Sequence, residues 1–338
     1  MLKKKWSFAA LGLSATLVLG ACGNGEPDVN AADQEYDLKM SVSVSESSTW
    51  YEAAEKLKED LAEESDGRIN LEIYTNEQLS GGDSGKAVEG LAKGTIDLTF
   101  NSTIIYSILD DRFGVTSAPF LFNNTEEVDS VFASEGGEMI KEILTEKGIH
   151  TLGYGENGFR QLTNSKLEVK SPEDLKGLKI RIPGTTVYTD LYRELGTDPQ
   201  TMTFSEVFTA LQQGTIDGQE NAIDVIYSSK LNEVQDYMTM WNYSYDPLVL
   251  GMNKKLYDSL SDEDKELFDR LGKEAAAYQV EIACEKEVEQ ITALEEAGMS
   301  LYYPSDEELA QFKEAVQPIY DKYTDIWGAD LLSAFQGE

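Results

Sequence analysis

The chain has 338 residues, 28 basic and 62 acidic side chains, a net charge of −34 and a single histidine. That acid excess excludes nucleic acid as a partner, because phosphate binding needs a basic face. One histidine and two cysteines give little support for a zinc cluster, a nucleophile–histidine triad or a disulfide framework.

The N-terminus carries Lys3, Lys4 and Lys5, then an apolar stretch from Trp6 to Leu19 broken by Gly12, Ser14 and Thr16. It is too short and interrupted to read as a span. A basic region, an apolar run and small residues before a cleavage point describe a signal peptide. Leu19-Gly20-Ala21-Cys22 resembles the lipobox of bacterial lipoproteins. That resemblance implies a signal peptide at 1–21, a lipidated Cys22 and a polar tether over 22–36. Two or more acyl chains anchor stably. Without the three signal lysines the net charge becomes −37. A surface this acidic keeps a protein monomeric, and an anionic ligand would need local cations. Cys284 would then be the only free thiol; it lies in a helical pattern and reads as a small buried hydrophobe.

Leu38 to Val44 reads as a strand. Ser47 or Ser48 caps a helix to about Glu64, with Trp50, Ala53, Ala54, Leu57 and Leu61 on one face. Asn70 to Tyr74 is a strand, Gly85 to Ala92 a helix ending at Gly94, and Ile96 to Phe100 a strand. His150 precedes a strand-like run, Thr151 to Tyr154, and reads as structural. A second lobe begins near Gly158. Ser171-Pro172-Glu173-Asp174 signals a helix start. Leu178 to Ile182 is a strand, Thr186 to Leu195 a helix, and Ser205 caps a helix to Gln213. Ser261-Asp262-Glu263-Asp264 opens a helix to about Glu296, long enough to run along both lobes. Ser305 opens a last helix to about Trp327. The alternation favours α/β layers, and the length favours two domains.

Leu91-Ala92-Lys93-Gly94-Thr95-Ile96-Asp97 echoes Leu211-Gln212-Gln213-Gly214-Thr215-Ile216-Asp217. Both read as a helix stopped at Gly and feeding a strand. The echo fits either common punctuation or two lobes of similar topology around a cleft.

Catalytic groupings are scarce, and no enzyme activity is expected. Gly81-Gly82-Asp83-Ser84-Gly85 lacks the spacing of a phosphate loop. The informative residues are cations in an acidic chain. Arg160 follows Asn157-Gly158-Phe159. Arg181 lies inside the strand run, sharing a face with Lys179 while Ile180 and Ile182 share the other. It is either a solvent-facing edge residue or a guanidinium at a cleft, where its planar fork matches a carboxylate.

Gly177-Leu178-Lys179-Ile180-Arg181-Ile182-Pro183 resembles the central motif of the DctP family, the solute-binding subunits of tripartite ATP-independent periplasmic (TRAP) transporters. Glu77 to Gly81, Ala118 to Phe122, Asn157 to Arg160 and Phe204 to Gly214 with Asp217 to Asn221 match in order. The resemblance implies a type II periplasmic-binding-protein fold, two α/β lobes with a hinge and a long C-terminal helix spanning both. Lobe I would hold 37–157 and about 247–286; lobe II, 158–246 and about 287–338. By the same resemblance Arg181 pairs with a ligand carboxylate, Arg160 supports it, Asn221 holds the ligand and Phe204 packs on it. Glu77 and Gln78 lie near the cleft, and Ser45, Glu46 and Trp50 line it. Ala222 stands where the family often has Pro. Trp241 and Tyr243 lie where many members carry a His nearby, and they either shape the distal pocket or pack in the core. The implied function is an extracytoplasmic receptor that delivers a small organic acid to TRAP membrane subunits, without a cofactor. A four-carbon dicarboxylate comes first, and a hexuronate or other sugar acid next. A ligand sensor for a membrane kinase and an extracellular enzyme are the alternatives. Lipidation implies the outer face of the cell membrane in a Gram-positive-type bacterium.

Overall fold

A computed structural model describes residues 34–337. The signal peptide, Cys22 and most of the tether lie outside the described residues. Strands β1 (Tyr36–Val42), β2 (Ile69–Tyr74) and β3 (Leu98–Ser102) alternate with helices α1 (Thr49–Glu64) and α2 (Ser84–Lys93). Helices α3 (Thr103–Tyr106), α4 (Thr125–Phe132) and α5 (Glu135–Glu146) lead into the 16-residue strand β4 (Ile149–Asn164). The alternation then repeats through β5 (Lys179–Ile182), α6 (Thr186–Glu194), β6 (Asp198–Thr201), α7 (Phe204–Gln212), β7 (Gly218–Ala222) and α8 (Ile223–Ser228). After β8 (Tyr237–Thr239) come β9 (Tyr245–Asn253), α9 (Lys254–Ser259), α10 (Asp262–Glu296) and β10 (Ser300–Tyr302). Helices α11 (Asp306–Ala315), α12 (Gln317–Trp327) and α13 (Ala329–Gln336) close the chain.

The strands run in the order β2-β1-β3-β9-β4-β7-β5-β6, with β8 joining β4 to β10. β1 is parallel to β2 and β3, and β3 is antiparallel to β9. β5 is likewise parallel to β6 and β7, and β7 is antiparallel to β4. The two halves therefore share one local order. The antiparallel pair β4–β9 joins them, with register shifts at Thr151/Gly153 and Glu156/Gly158. Such bulges bend a strand and re-aim its side chains.

Local chemistry explains the elements that flank the centre. Ser48 Oγ accepts from the Trp50 N–H at 3.1 Å and starts α1. The helix buries Trp50, Ala53, Ala54, Leu57 and Leu61 as one stripe. Gly94 (φ 79°) and Gly214 (φ 66°) adopt the left-handed geometry that ends α2 and α7. The 35-residue α10 is about 50 Å long at 1.5 Å per residue. Its Phe268, Leu271 and Ala275 pack into the first half's core, and its Leu294 packs with Val207 and Ile223 of the second. Midway, Gln279 accepts from the Glu156 N–H (2.6 Å) and donates to the Glu156 carbonyl (2.7 Å), clamping the bulge in β4.

Four expectations need correction. Ser205 is not a cap; α7 starts at Phe204 with Thr203 at the cap position. The Ser171-Pro172 signal opens only a single 3₁₀ turn, Pro172–Leu175. The helix expected from Ser305 to about Trp327 is two helices, α11 and α12, and a further helix, α13, follows it. Pro318 in the first turn of α12 cannot continue α11, and Gly328 (φ 92°) breaks the chain before α13. Cys284 is exposed. It follows the buried Ile282 by two positions, about 200° around the helix, and so leaves the buried face. His150, read as structural, stacks on Tyr257 with ring centres 3.4 Å apart and pairs with Asp269. No helix among the described residues is long and apolar enough to cross a membrane.

Gly218 opens β7 where a Cβ would lie 2.2 Å from the Thr163 carbonyl oxygen. Gly218→Ala should lower stability by about 1–3 kcal/mol through overpacking. A melting temperature equal to that of the parent chain would refute this.

Candidate functional site

A cleft lies where the ends of the parallel strands of both halves meet. Crevices at such strand ends are the usual ligand position in open α/β sheets. From the first half come Ser43, Val44 and Trp50, then Asn101 and Ser102 at the end of β3. From the strands that join the halves come Asn157, Arg160 and Asp246. From the second half come Arg181, Phe204 and Asn221.

The two arginines differ sharply in how their charge is met. Arg160 donates through Nη2 to Glu220 Oε1 at 2.8 Å and through Nε to Glu220 Oε2. Its Nη1 donates to Asp246 Oδ2 at 2.7 Å. Burial alone would lower its pKa, but Glu220 and Asp246 hold it well above the ordinary value. Its charge is spent inside the protein.

Arg181 is 5% exposed and forms no ion pair among the described residues. It has strand neighbours on both sides, β6 and β7, so it is no edge residue. Its Nε and Nη2 both donate to the Met202 carbonyl, at 3.2 and 3.0 Å. Two of the guanidinium's five N–H groups are thus used, and the rest lack a partner among the described residues. Burial pushes its pKa down to about 10, against the pull of Glu220. The side chain is still a cation at neutral pH. Phe204 lies beneath it, 5.5 Å from ring centre to guanidinium carbon.

Trp50 and Asn221 line the same cleft. The remaining sequence candidates do not. Glu77 is buried behind the wall, accepting from Ser41 Oγ (2.5 Å) and Asn101 Nδ2 (2.9 Å). Burial raises its pKa to about 7, against those hydrogen bonds. Glu77 thus orients Asn101 rather than facing the cleft. Gln78 and Glu46 are exposed. Ser45 donates to the Ser228 carbonyl at 3.3 Å, across from one half to the other. Trp241 is a core residue, its ring 4.6 Å from Tyr243 and 5.1 Å from Phe312. Tyr243 reaches the site only indirectly, donating to Glu220 Oε2 at 2.6 Å.

Asn101 and Asp246 were missed by sequence reasoning. Asn101 follows Asp97 by four residues, as Asn221 follows Asp217, so extending the echo would have found it. Asp246 carries no such signal. Its role depends on β9 crossing β4 beside Arg160.

The halves also touch across the cleft. Ser48 Oγ donates to Asp224 Oδ2 at 2.7 Å, and Ser205 Oγ to the Gly82 carbonyl at 3.2 Å. Ser205 is therefore a cross-cleft contact.

Two lobes closing on a polar cleft from the ends of their strands define a periplasmic-binding-type receptor. Residues 40–325 match the model of bacterial extracellular solute-binding protein family 7, DctP. The chain belongs to that family, the solute-binding subunits of TRAP transporters. It is 32% identical over 300 residues to the 2,3-diketo-L-gulonate-binding periplasmic protein YiaO of Escherichia coli, covering 88% of this chain and 90% of that one. The sugar acid binding protein DctPAm of Advenella mimigardefordensis, in complex with galactonate, superposes with a TM-score of 0.86 at 30% identity, covering 90% and 97%. A TRAP periplasmic solute binding protein from Shewanella oneidensis, with bound succinate, gives 0.85 at 28% identity, covering 90% and 99%.

The two arginines should respond oppositely to an isosteric apolar change. Arg160→Met strands two buried carboxylates and should cost about 3–5 kcal/mol. Arg181→Met removes an unpaired buried cation and should raise the melting temperature of the ligand-free protein. Parallel thermal melts read both, and a destabilised Arg181→Met would contradict the assignment.

Glu77 sets a pH dependence. Its folded pKa of about 7 exceeds the ordinary 4.5, so the folded state holds the proton more tightly. This contribution to stability is full below about pH 4.5 and is lost as pH rises toward 7. Glu77→Gln should therefore lose less melting temperature than the parent between pH 5 and pH 8. Equal losses would count against a buried, proton-retaining Glu77.

Proposed function

We propose that this receptor captures a small organic acid outside the cytoplasm by pairing its carboxylate with Arg181, then delivers it to TRAP membrane subunits. The observation that carries this reading is the buried Arg181 guanidinium with no anion of its own among the described residues. A buried cation is costly unless paired. A ligand carboxylate would supply the partner through the unused N–H groups. Phe204 stacks under the guanidinium, and Asn221 and Asn101 offer amides from opposite walls. Arg160 takes a supporting part, because its charge is already met. A relative named for 2,3-diketo-L-gulonate and a similar structure with bound succinate support the chemical class.

The two lobes take 37–157 with about 247–286, and 158–246 with about 287–338. The bulge at Glu156/Gly158 and the start of β9 at Tyr245 support a hinge there. Closure of such lobes around a solute is the known hinge movement of binding proteins. The receptor would act as a monomer. Cys22 would tether it by lipid to the outer face of the membrane of a Gram-positive-type bacterium, keeping it near its transporter. The lipobox-like Leu19 to Cys22 supports this last part.

Thermal shift against a panel of organic acids tests the reading. At least one acid should raise the melting temperature as its concentration passes Kd. Arg181→Ala should weaken that acid by about 2–5 kcal/mol, which calorimetry resolves. Undiminished affinity in Arg181→Ala would place the carboxylate elsewhere.

A further inference from the structure

Building on the reading of the cleft as an organic-acid site, we infer that the acid it takes carries a single carboxylate and donor hydroxyls, as an aldonate or other sugar acid does, and not two carboxylates. The charge around the cleft sets the first constraint. Arg160, Arg181 and Asp246 are the charged side chains lining it, and Glu220 lies directly behind Arg160. Two cations face two carboxylates. Arg160 is held by both of those carboxylates, so Arg181 alone has charge to offer. One ligand carboxylate meets it. A second would find no cation among the lining residues. Asp246 lines the same cleft, and burial would strengthen its repulsion of that second carboxylate.

The unpaired neutral groups set the second constraint. Trp50 and Asn157 line the cleft, and the buried Trp50 Nε1 and Asn157 Oδ1 have no hydrogen-bond partner within the described protein. Their side chains are well buried, with Trp50 2% and Asn157 6% exposed. The Asn157 amide cannot turn round. Its Nδ2 donates to Asp246 Oδ2 at 2.7 Å, and a flip would set two acceptors against each other. Its Oδ1 therefore needs a donor. A carboxylate has none at neutral pH, whereas a hydroxyl does. A hydroxyl can also accept from the Trp50 indole.

Asn221 is oriented in the same sense by a relay behind it. Gln235 Nε2 donates to the Val234 carbonyl (2.9 Å), so its Oε1 accepts from Thr163 Oγ1 (3.0 Å). Thr163 Oγ1 accepts from Gln219 Nε2 (2.9 Å), and Gln219 Oε1 accepts from Asn221 Nδ2 (2.9 Å). The relay leaves Asn221 Oδ1 as a second fixed acceptor at the cleft wall. Two fixed amide oxygens and one spare cation suit a hydroxylated monoanion.

The test is calorimetry on the parent protein with galactonate, gluconate, glucuronate, succinate and fumarate under one buffer. At least one hydroxylated monocarboxylate should bind about tenfold or more tighter than either dicarboxylate, the scale of one buried hydrogen bond left unmade. Asn157→Leu, checked for folding by circular dichroism, should weaken that monocarboxylate by about tenfold. Its affinity for a dicarboxylate should change less. If succinate or fumarate binds most tightly and Arg181→Ala abolishes it, the single-carboxylate inference is overturned while the acid receptor stands. If no acid of either kind binds, the receptor reading falls and takes the inference with it.

Discussion

The ion cluster of Arg160, Glu220 and Asp246 is the constraint on which the rest of the molecule depends. Each member comes from a different strand, β4, β7 and β9, at the place where the two halves join. Removing three charges from water is costly, and such a cluster survives only if every oxygen and N–H is engaged. Here that condition is nearly met. Glu220 also accepts from Tyr243, and Asp246 from Ser102 Oγ (2.5 Å) and Asn157 Nδ2 (2.7 Å). The cluster thus ties the end of β3 to the crossing strands. It also consumes one arginine completely, which leaves its neighbour Arg181 without a counter-ion.

The halves are variations on one pattern, and their differences lie at the cleft. In the first, the Lys39 N–H donates to Asp97 Oδ2 (2.9 Å) and the Asp97 N–H to the Lys39 carbonyl (3.1 Å). In the second, Lys179 and Asp217 make the same two bonds, at 2.9 and 2.8 Å. The strand registers agree, with Met40 opposite Leu98 and Ile180 opposite Gly218. In that frame Asn101 answers to Asn221, and both line the cleft. Ser41 answers to Arg181. The first half puts a small hydroxyl there and uses it to hold Glu77, while the second puts the cation. A common backbone therefore presents neutral groups on one wall and charge on the other.

Much of this was legible in the sequence where local rules operate. Caps, glycine stops and apolar stripes placed α1, α2, α10 and strands β1, β2 and β5 close to their observed positions. The apolar flanks of Arg181 marked it as unusual, and family motifs drew Arg160, Asn221 and Phe204 toward one site. Long-range pairing was not legible. Nothing local shows that Asp246 reaches Arg160, 86 residues away along the chain, or that Asn157 is locked by that same carboxylate. The sequence left Tyr243 open between shaping the pocket and packing in the core. Its hydroxyl in fact serves Glu220 from behind. Buried motif residues such as Glu77 act through a neighbour, and sequence alone does not separate that role from ligand contact.

The unmatched charge of Arg181 also bears on how such a receptor closes. With the halves together, the guanidinium is shut away from water against a single carbonyl. The cross-cleft hydrogen bonds from Ser45, Ser48 and Ser205 contribute about 1 kcal/mol each on the usual net scale. The effective penalty for an unpaired buried ion is several kcal/mol. Closure without an anion is therefore poorly supported by the protein's own contacts. A carboxylate at Arg181 interacts more strongly once the cleft is closed and its effective dielectric falls. A ligand shifts a conformational balance only by its differential affinity for the two forms, and this difference is of that kind. On the reading proposed above, a neutral solute of the same size would gain contacts with the amides but leave the cation stranded. Selectivity for an acid would then reside in the closing step as well as in the first encounter.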